Sequence, residues 1–535
     1  MGEILTSAQM RAKEKRAIQA GLVSGLELME RAGTAVVEVT ISAIDGLDNC
    51  NQTAVVLCGP GNNGGDGFVI ARVLQERGWR VEVFFWGSVD RLPQDARTMH
   101  DRWESIGEIR PMSLAEVQKG SRPTLLFDAM FGIGINRPIP VDCRRAYEAI
   151  CKRPPAQESE SAFYRIAVDC PSGFDADSGV FLVAEGDNPT PEPQVDLCVT
   201  FHLPKVGHYL NEIAGTVPAV ADIGLPYDVS AGKTRLIDPT DGAAREWLQD
   251  LCGLGAGGHK YDRGHVLLIG GGAGKGGAAR LAARSALRVG AGLVTLAVPP
   301  EALAENAAQL NAVMLREVAD AAALADILRD RRLSSICLGP GLGVGAQTRE
   351  MVLTVLQVTA ESGRRVVLDA DALSSFADAP EDLFTACHDG VVITPHEGEF
   401  ARLFPDLAEK ARHSSASSRG IGKVEAVQRA AERLGASVLL KGAATVLANP
   451  LGQSRLHAAL YDRSAPWLGT AGAGDVLVGL IAGLSASRRA QDSAPIDLAA
   501  AAAWLHVEAA RMFGPGLIAE DLPEQLPAVF RKLGF

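Results

Sequence analysis

Residues 53–77 read TAVVLCGPGNNGGDGFVIARVLQER. The apolar run at 54–58 predicts a buried strand, and the apolar spacing further on predicts a helix over 68–77. The glycines between them predict a loop at 59–67 whose backbone N–H groups can approach a phosphate closely. Because a helix N-terminus behind such a loop adds a partial positive charge, this stretch indicates an anion-binding strand–loop–helix unit.

A second glycine turn of different design lies near the other end of the chain. Residues 472–475 read GAGD, and they open an apolar helix predicted over 476–484. Each half of the chain therefore carries one turn that can bind a phosphate through backbone N–H groups. Two such turns indicate two nucleotide-handling domains, and so two coupled activities.

Outward from these turns, predicted strands alternate with helical segments, which is typical of parallel sheets covered by helices on both faces. A long opening helix over 7–43 is predicted to break near residues 21–25. The weak pattern at 226–258 predicts a linker between two domains. The predicted strands are 54–58, 81–86, 125–129, 166–169 and 197–201 in the first half, and 266–269, 293–298, 336–338, 366–368, 391–394 and 438–440 in the second.

Length and composition limit the possible classes of protein. The 535 residues suffice for two to four domains of roughly 100–200 residues each. Hydrophobic residues make up 47% and charged residues 22%, as in a soluble globular protein. No apolar run reaches the ~18 residues of a membrane span, and the first residues lack an apolar signal core, so no membrane association is expected.

The cysteines and the net charge indicate the cellular location and the class of binding partner. The nine cysteines form no CxxC pair, so the sequence indicates neither a zinc site nor a disulfide framework, and a reducing cytoplasm is the expected location. The net charge of −12 disfavours a nucleic-acid partner, because such proteins need a basic surface. Anionic small ligands remain compatible, since local N–H groups bind phosphate on acidic proteins too.

Polar residues follow several strands of the first half. Asp128 and Asp169 each end a predicted strand, and the carboxyl ends of parallel strands converge at one sheet edge. A lone aspartate there is more often a cap or turn residue, but two of them beside glycine loops favour a site. Asn63, Asp128 and Ser172 offer hard oxygen ligands for a small cation, whereas no His/Cys cluster suggests a transition metal. Lys205 is either a surface lysine or a group that stabilises developing charge.

Four stretches in this order, GPGNNGGDG, FDAMFGIG, VDCPSGFDADSG and TFHLPKVGH, resemble the NAD(P)H-hydrate epimerase family (the YjeF N-terminal domain) over about residues 3–227. The resemblance implies a Rossmann-like three-layer domain that interconverts the R and S forms of hydrated NADH or NADPH at C6. It implies Asp169 as the acid/base, and a potassium ion held by Asn63, Asp128 and Ser172. The residues that it implies in substrate binding are Asn62, Asn63, Gly64, Gly65, Asp66, Gly132, Ile133, Gly134, Ile135, Asn136, Arg137, Pro138 and Asp169.

The second half carries its own ordered motifs. These are GPGLG at 339–343, LDADAL at 368–373, TPHEGEFARLF at 394–404, KGAATV at 441–446 and GTAGAGDVLVG at 469–479. GAGD before an apolar helix is typical of the anion hole of ribokinase-like proteins. There the backbone N–H groups neutralise a transferring phosphoryl group, and the aspartate takes a proton from the attacking hydroxyl.

This set resembles the ADP/ATP-dependent NAD(P)H-hydrate dehydratases (the YjeF C-terminal domain) over about residues 240–530. The resemblance implies a ribokinase-like α/β domain that dehydrates the S form at the expense of ADP, giving NAD(P)H, AMP and phosphate. It also implies a magnesium ion in this domain, a homo-oligomer, and Asp475 as the catalytic residue. The implied contacts are Ala278, Gly343, His396 and Asp475 for the hydrated nucleotide, and Lys441, Gly442, Ala443, Ala444, Thr445 and Gly474 for the adenine nucleotide.

Together these patterns predict a bifunctional cytoplasmic repair enzyme, with an epimerase domain at 1–227 and a dehydratase domain at 228–535. Two alternatives stay open. The second half could be a small-molecule kinase on the ribokinase fold, acting on a hydroxymethylpyrimidine or a sugar. The first half could be a non-catalytic nucleotide-sensing or partner-binding module.

Overall fold

The computed structural model describes residues 2–47, 52–120, 122–154, 162–183, 194–213, 215, 217–227, 233–238, 242–252, 259–412 and 420–535. Strands alternate with helices through these residues, so the predicted α/β class is confirmed. Described residues between 3 and 227 form most of an N-terminal unit, and those at 233–412 and 421–535 form most of a C-terminal unit. The domain boundary predicted at 227/228 adjoins residues outside the described ranges, and it stays a prediction.

The first part of the chain forms a parallel sheet in the order β10-β9-β6-β5-β2-β3-β4. Every strand predicted for this half is confirmed. The described strands of this part of the chain are β1 (Gly2–Ile4), β2 (Thr53–Cys58), β3 (Arg80–Phe85), β4 (Ile109–Pro111), β5 (Leu125–Ala129), β6 (Tyr164–Val168), β7 (Phe174–Asp175), β8 (Val180–Phe181), β9 (Leu197–Phe201) and β10 (Ala219–Ala221), of which β1, β7 and β8 lie outside this sheet. The helices are α1 (Ser7–Gln19), α2 (Gly25–Ala43), α3 (Asn62–Glu76), α4 (Gln94–Glu104), α5 (Leu114–Val117) and α6 (Val141–Cys151).

Strand β2 shows why this unit has three layers. Its alternate side chains point to opposite faces of the sheet. Val56 and Cys58 pack in one buried cluster with residues of α2, α3 and α4, whereas Val55 and Leu57 pack in another with residues of α6. The strand order also reverses direction between β2 and β5, and open α/β sheets bind ligands at such a point.

Helix α3 begins at Asn62, so the predicted loop is wrong over residues 62–67. Glycine is a weak helix former, but here tertiary packing overrides that preference. A Cβ on Gly64 would lie 2.0 Å from the Gly59 carbonyl oxygen, and one on Gly65 would lie 2.4 Å from Met29 Sδ. These glycines therefore let the helix start immediately behind the strand.

The C-terminal unit contains a sheet in the order β11-β20-β19-β18-β17-β16-β15-β12-β13-β14. Its pairs are parallel except β18–β19 and β19–β20, and every predicted strand of this half is confirmed. The strands are β11 (Thr234–Leu236), β12 (His265–Ile269), β13 (Leu293–Val298), β14 (Met314–Glu317), β15 (Ser335–Leu338), β16 (Arg365–Leu368), β17 (Val391–Ile393), β18 (Ser437–Leu440), β19 (Ala444–Ala448) and β20 (Ser454–Ala458).

The helices of the C-terminal unit are α7 (Gly242–Cys252), α8 (Gly276–Val289), α9 (Leu303–Ala307), α10 (Ala321–Ile327), α11 (Ala346–Thr359), α12 (Asp371–Ser374), α13 (Pro380–Ala386), α14 (Glu397–Leu403), α15 (Pro405–Arg412), α16 (Lys423–Leu434), α17 (Ala473–Ala486), α18 (Pro495–Phe513) and α19 (Asp521–Leu533). The predicted linker at 226–258 is wrong where β11 and α7 form, and its residues 228–232, 239–241 and 253–258 lie outside the described ranges. Among the described helices, none is long and apolar enough to cross a membrane.

Helices α8 and α17 approach each other very closely in the C-terminal core. A Cβ on Gly479 would lie 2.2 Å from the Ala282 carbonyl oxygen, and one on Gly483 would lie 2.7 Å from the Ala286 carbonyl oxygen. The backbones can touch only because these positions carry no side chain. This contact packs the middle of α17, the helix that the GAGD turn opens, directly against α8.

We expect Gly479→Ala to lower the free energy of unfolding by about 1–3 kcal/mol, because the added methyl group must push the two helices apart. Gly277→Ala in α8 is the matched control, since a Cβ there meets nothing within 4 Å. The control should change stability by less than about 1 kcal/mol, in the stabilising direction. Urea denaturation of the full chain measures both, and equal stability of the two variants would contradict the close approach.

Candidate active sites

A cavity of about 550 Å³ lies at the carboxyl edge of the N-terminal sheet. It brings together most of the residues predicted to bind substrate, namely Asn62, Asn63, Asp66, Gly132, Ile133, Gly134, Ile135, Asn136, Arg137, Pro138 and Asp169. Two predicted contacts, Gly64 and Gly65, do not line the cavity and are buried inside α3. Their observed role is packing, which lets the first turn of α3 reach the cavity.

Asp169 forms a buried ion pair at one wall of this cavity. Lys205 Nζ donates to Asp169 Oδ1 at 2.7 Å, and the Thr200 hydroxyl donates to the same oxygen at 2.9 Å. Burial alone would raise the pKa of Asp169, but Lys205 outweighs it and holds that pKa below its usual value. Lys205 has no solvent-exposed surface, so its interpretation as a surface lysine is wrong.

The backbone of Asp169 is held in an unusual conformation. Its φ is +66°, in the left-handed region that non-glycine residues rarely adopt, and its N–H donates to the Val199 carbonyl at 2.7 Å. Such local strain persists only where the surrounding structure enforces it, and it is concentrated at functional sites. The conformation directs the carboxylate toward Lys205 and the cavity.

Besides Asp169, the carboxyl groups of Glu14, Asp66 and Asp95 line the cavity. Burial, with the nearby Asp169 carboxylate, raises the pKa of Asp66 well above its usual value and that of Glu14 to about 7. Asp66 is only 8% exposed, and Glu14 is partly exposed on α1. Sequence reasoning missed Glu14, because α1 lies far from Asp169 along the chain and its polar pattern resembles an ordinary surface helix.

The predicted cation ligands gather beside the cavity. Ser172 Oγ donates to Asp128 Oδ1 at 2.5 Å, and Ser172 N–H donates to Asp128 Oδ2 at 2.8 Å. The Asn63 side chain lines the cavity, and its amide nitrogen is buried without a hydrogen-bond partner. Within the described residues no cationic side chain pairs with Asp128, whose pKa is raised by burial. A buried carboxylate among oxygen donors fits a monovalent cation, which would supply the missing positive charge.

Asp475 opens the second site, in the first turn of α17. Gly472 caps this helix with φ +89°, and Ala473 N–H donates to the Thr470 carbonyl at 3.4 Å. The N–H groups of Gly474 and Asp475 lie in the first turn of the helix, where N–H groups have no acceptor within the helix and can bind an anion. Burial raises the pKa of Asp475 to about 6, and Asp369 adds to the effect. Lys441 Nζ donates to Asp369 Oδ1 at 2.7 Å, which places a positive charge beside the turn.

Backbone contacts link the other predicted residues of this site at the carboxyl ends of β15 to β18. Lys441 N–H donates to the Pro395 carbonyl at 3.0 Å, which joins the KGAATV and TPHEGEF motifs. His396 is an exposed N-cap residue whose Nδ1 accepts from Gly398 N–H at 2.9 Å. Gly343 N–H donates to Asp371 Oδ2 at 2.8 Å.

The remaining predicted contact residues of this site differ in how far they are buried. Ala278 lies partly exposed in the first turn of α8. Ala444 and Thr445 belong to β19 and are buried, whereas Gly442 and Ala443 precede that strand and are exposed. Sequence reasoning missed Asp369 as a functional residue, although the DAD pattern after a strand was a usable signal.

Both halves of the chain match known families. A family model described as YjeF-related protein N-terminus matches residues 25–207, and one described as NAD(P)H-hydrate dehydratase matches residues 266–526. A Moorella thermoacetica protein named bifunctional NAD(P)H-hydrate repair enzyme is 34% identical, covering 99% of this chain and 97% of that protein. A Salinibacter ruber protein of the same name is 31% identical, covering 98% and 96%.

Partial relatives match each half separately. The NAD(P)H-hydrate epimerase of Rhodobacter capsulatus is 43% identical and covers 42% of this chain and 100% of its own. A solved structure of the ADP/ATP-dependent NAD(P)H-hydrate dehydratase of Bacillus subtilis, co-crystallised with ATP and Mg²⁺, is 24% identical with a TM-score of 0.43, covering 54% of this chain and 97% of that one.

We expect Lys205→Met to destabilise the N-terminal unit by about 3–5 kcal/mol, because it leaves the buried Asp169 carboxylate without its cation. Lys119→Met is the matched control, since Lys119 is exposed and its ion pair with Glu116 should contribute less than about 1 kcal/mol. Urea denaturation followed by circular dichroism measures both. If Lys205→Met lowered the free energy of unfolding no more than the control does, the result would contradict a stabilising role of the buried ion pair.

Proposed function

Because the chain belongs to the family of bifunctional NAD(P)H-hydrate repair enzymes, we propose that its two halves carry the two activities separately. The enzyme epimerises hydrated NADH or NADPH and removes the added water. In our proposal residues 1–227 perform the epimerisation and residues 228–535 the dehydration. Relatives that join both activities along almost their whole length favour this assignment over the kinase and binding-module alternatives.

The Lys205–Asp169 pair facing the cavity is the observation that carries the epimerase assignment. Inverting the hydroxyl-bearing C6 carbon requires proton movement near that carbon, and Asp169, kept ionised by Lys205, is suited to accept a proton there. The N-terminal turn of α3, at Asn62 and Asn63, offers backbone N–H groups to the phosphates of the nucleotide. The other predicted binding residues of the cavity position the nicotinamide ring in this proposal.

Potassium belongs to the same site in this proposal. Asn63, Asp128 and Ser172 would hold it with oxygen ligands only. When bound, the ion supplies a positive charge that compensates the buried Asp128 carboxylate and steadies the loop after β5.

The dehydratase assignment rests on Asp475 at the start of α17. Its carboxylate would take the proton of the C6 hydroxyl while ADP transfers its terminal, β-phosphoryl group to that oxygen. The N–H groups of the 472–475 turn would stabilise the phosphoryl group in transit. This transfer leaves AMP. Loss of phosphate from C6 together with a proton from C5 then restores the double bond of NAD(P)H. Magnesium would reach the site with the phosphates of ADP.

The remaining contacts follow from the same assignment. Their support is that Gly343, His396 and Lys441 follow β15, β17 and β18 at the carboxyl edge of the sheet. A Cβ on Gly474 would lie 3.6 Å from Lys441 Nζ, which places that lysine beside the turn of Asp475. We assign Ala278, Gly343 and His396 to the hydrated nucleotide, and Lys441, Gly442, Ala443, Ala444, Thr445 and Gly474 to ADP.

We expect Asp475→Asn to lower ADP-dependent formation of NADH from the S epimer by about 10²–10⁴-fold, because the amide keeps the shape but cannot accept the proton. The wild-type rate should fall as the pH drops below about 6, where the carboxylate becomes protonated. The rate of the variant should not show this fall at low pH. Absorbance of NADH across a pH series measures both.

Asp326→Asn is the control, since Asp326 is exposed on α10 and should leave the rate and its pH profile unchanged. A near-wild-type rate for Asp475→Asn would refute the base assignment.

We expect Asp128→Asn to slow epimerisation by about tenfold or more and to abolish its response to potassium, because the site loses its negative ligand. Conversion of the R epimer to NADH with ADP, compared in potassium and choline chloride, measures this. Dehydration of the S epimer should not change. Asp142→Asn, an exposed substitution in α6, is the control, and an unaltered potassium response in Asp128→Asn would count against the cation site.

A further inference from the structure

The epimerase cavity contains a carboxyl group to which the proposed mechanism gives no role. Glu14 lines the cavity together with Asp66 and Asp169, and no described residue donates a hydrogen bond to its carboxylate. Asp66, more than nine-tenths buried, is likewise without a hydrogen-bond partner among the described residues. Unpartnered carboxyl groups in a cavity are free to interact with a ligand.

Two contacts fix the helix that carries Glu14. Arg11 Nη1 donates to the Ile133 carbonyl at 3.2 Å, so α1 is attached to the glycine loop after β5. Leu5 pairs with the segment that carries Lys205, because Leu5 N–H donates to the Pro204 carbonyl at 3.0 Å and its own carbonyl accepts from Val206 N–H at 3.0 Å. The helix that carries Glu14 is therefore attached both to the glycine loop and to the segment that holds the partner of Asp169.

Epimerisation through cleavage of the C6–O bond needs both an acid and a base. The acid protonates the hydroxyl, which leaves as water with the C6–O bonding electrons, while the lone pair of the ring nitrogen forms a C=N bond. Water then adds to the opposite face, the C=N electrons return to nitrogen, and a base takes the surplus proton. The acid gives up one proton and the base gains one, and one water leaves while another adds, so no other reactant is required.

We infer that Glu14 is the proton donor of the epimerisation and acts with Asp169 as an acid–base pair. The inference rests on the proposed epimerase function of this cavity. The two groups line the same cavity from different elements, Glu14 from α1 and Asp169 from the end of β6. After each turnover the proton returns from Asp169 to Glu14 through solvent, which reaches Glu14 more easily than the deeply buried Asp66.

The charges in the cavity support this division of roles. Burial and the Asp169 carboxylate raise the pKa of Glu14 to about 7, so a substantial fraction carries a proton at neutral pH. Lys205 holds the pKa of Asp169 low, so that group is ionised. Two carboxyl groups whose environments push their pKa values apart are suited to act as acid and base.

The test uses the full chain with the separated R and S epimers of hydrated NADH. With ADP, the R epimer yields NADH only after epimerisation, whereas the S epimer is dehydrated directly. Glu14→Gln should lower kcat for the R epimer by about 10²-fold with little change in KM, and should leave the S epimer rate unchanged. Glu14→Asp, which keeps the carboxyl group, should retain more activity than Glu14→Gln if the two variants melt at the same temperature.

Glu38→Gln, which removes an exposed carboxylate of α2, is the matched control and should behave as wild type. Without ADP, epimerisation in ¹⁸O-water should place the label on C6. The inference would be overturned if Glu14→Gln kept wild-type activity with the R epimer, or if Glu14→Gln and Glu14→Asp lost that activity equally. It would also be overturned if the product retained its original oxygen on C6. Failure of the wild-type chain to epimerise either form would instead refute the proposed function on which the inference rests.

Discussion

The carboxyl edges of both sheets depend on direct contact between backbone segments that follow neighbouring strands. A Cβ on Gly59, after β2, would lie 1.7 Å from the Met130 carbonyl oxygen after β5. In the C-terminal unit a Cβ on Gly339, after β15, would lie 1.8 Å from the Asp369 carbonyl oxygen after β16. Any side chain at these glycines would separate the loops, so the polar groups that the loops carry could not meet at one site.

The two sites share an electrostatic arrangement although their folds differ. Each contains a lysine bonded to a buried aspartate, Lys205 with Asp169 and Lys441 with Asp369. Each also has a second carboxyl group whose pKa burial raises, to about 7 for Glu14 and about 6 for Asp475. A site of this kind keeps one charge fixed and lets a neighbouring group exchange its proton near neutral pH.

Local sequence patterns predicted the strands, because apolar runs are read within a few positions. The residues implied in substrate binding came from the family resemblance, and most of those of the first half line one cavity. The local patterns failed at the start of α3, where packing against Gly59 and Met29 decides the conformation. They also missed Glu14 and Asp369. The ionisation and pairing of these groups depend on burial and on partners that are distant along the chain, which no local pattern contains.

The pairing of Leu5 with the backbone around Lys205 has a consequence for the order of folding. The partners of Leu5 are among the last residues of this unit to leave the ribosome, whereas β2, α3 and β3 can associate much earlier. Contacts between such distant segments form late because closing a long loop costs entropy. The segment that carries Glu14 is therefore joined to the backbone around Lys205 after the central strands of the sheet can associate, so the centre of the core forms before the catalytic cavity is complete.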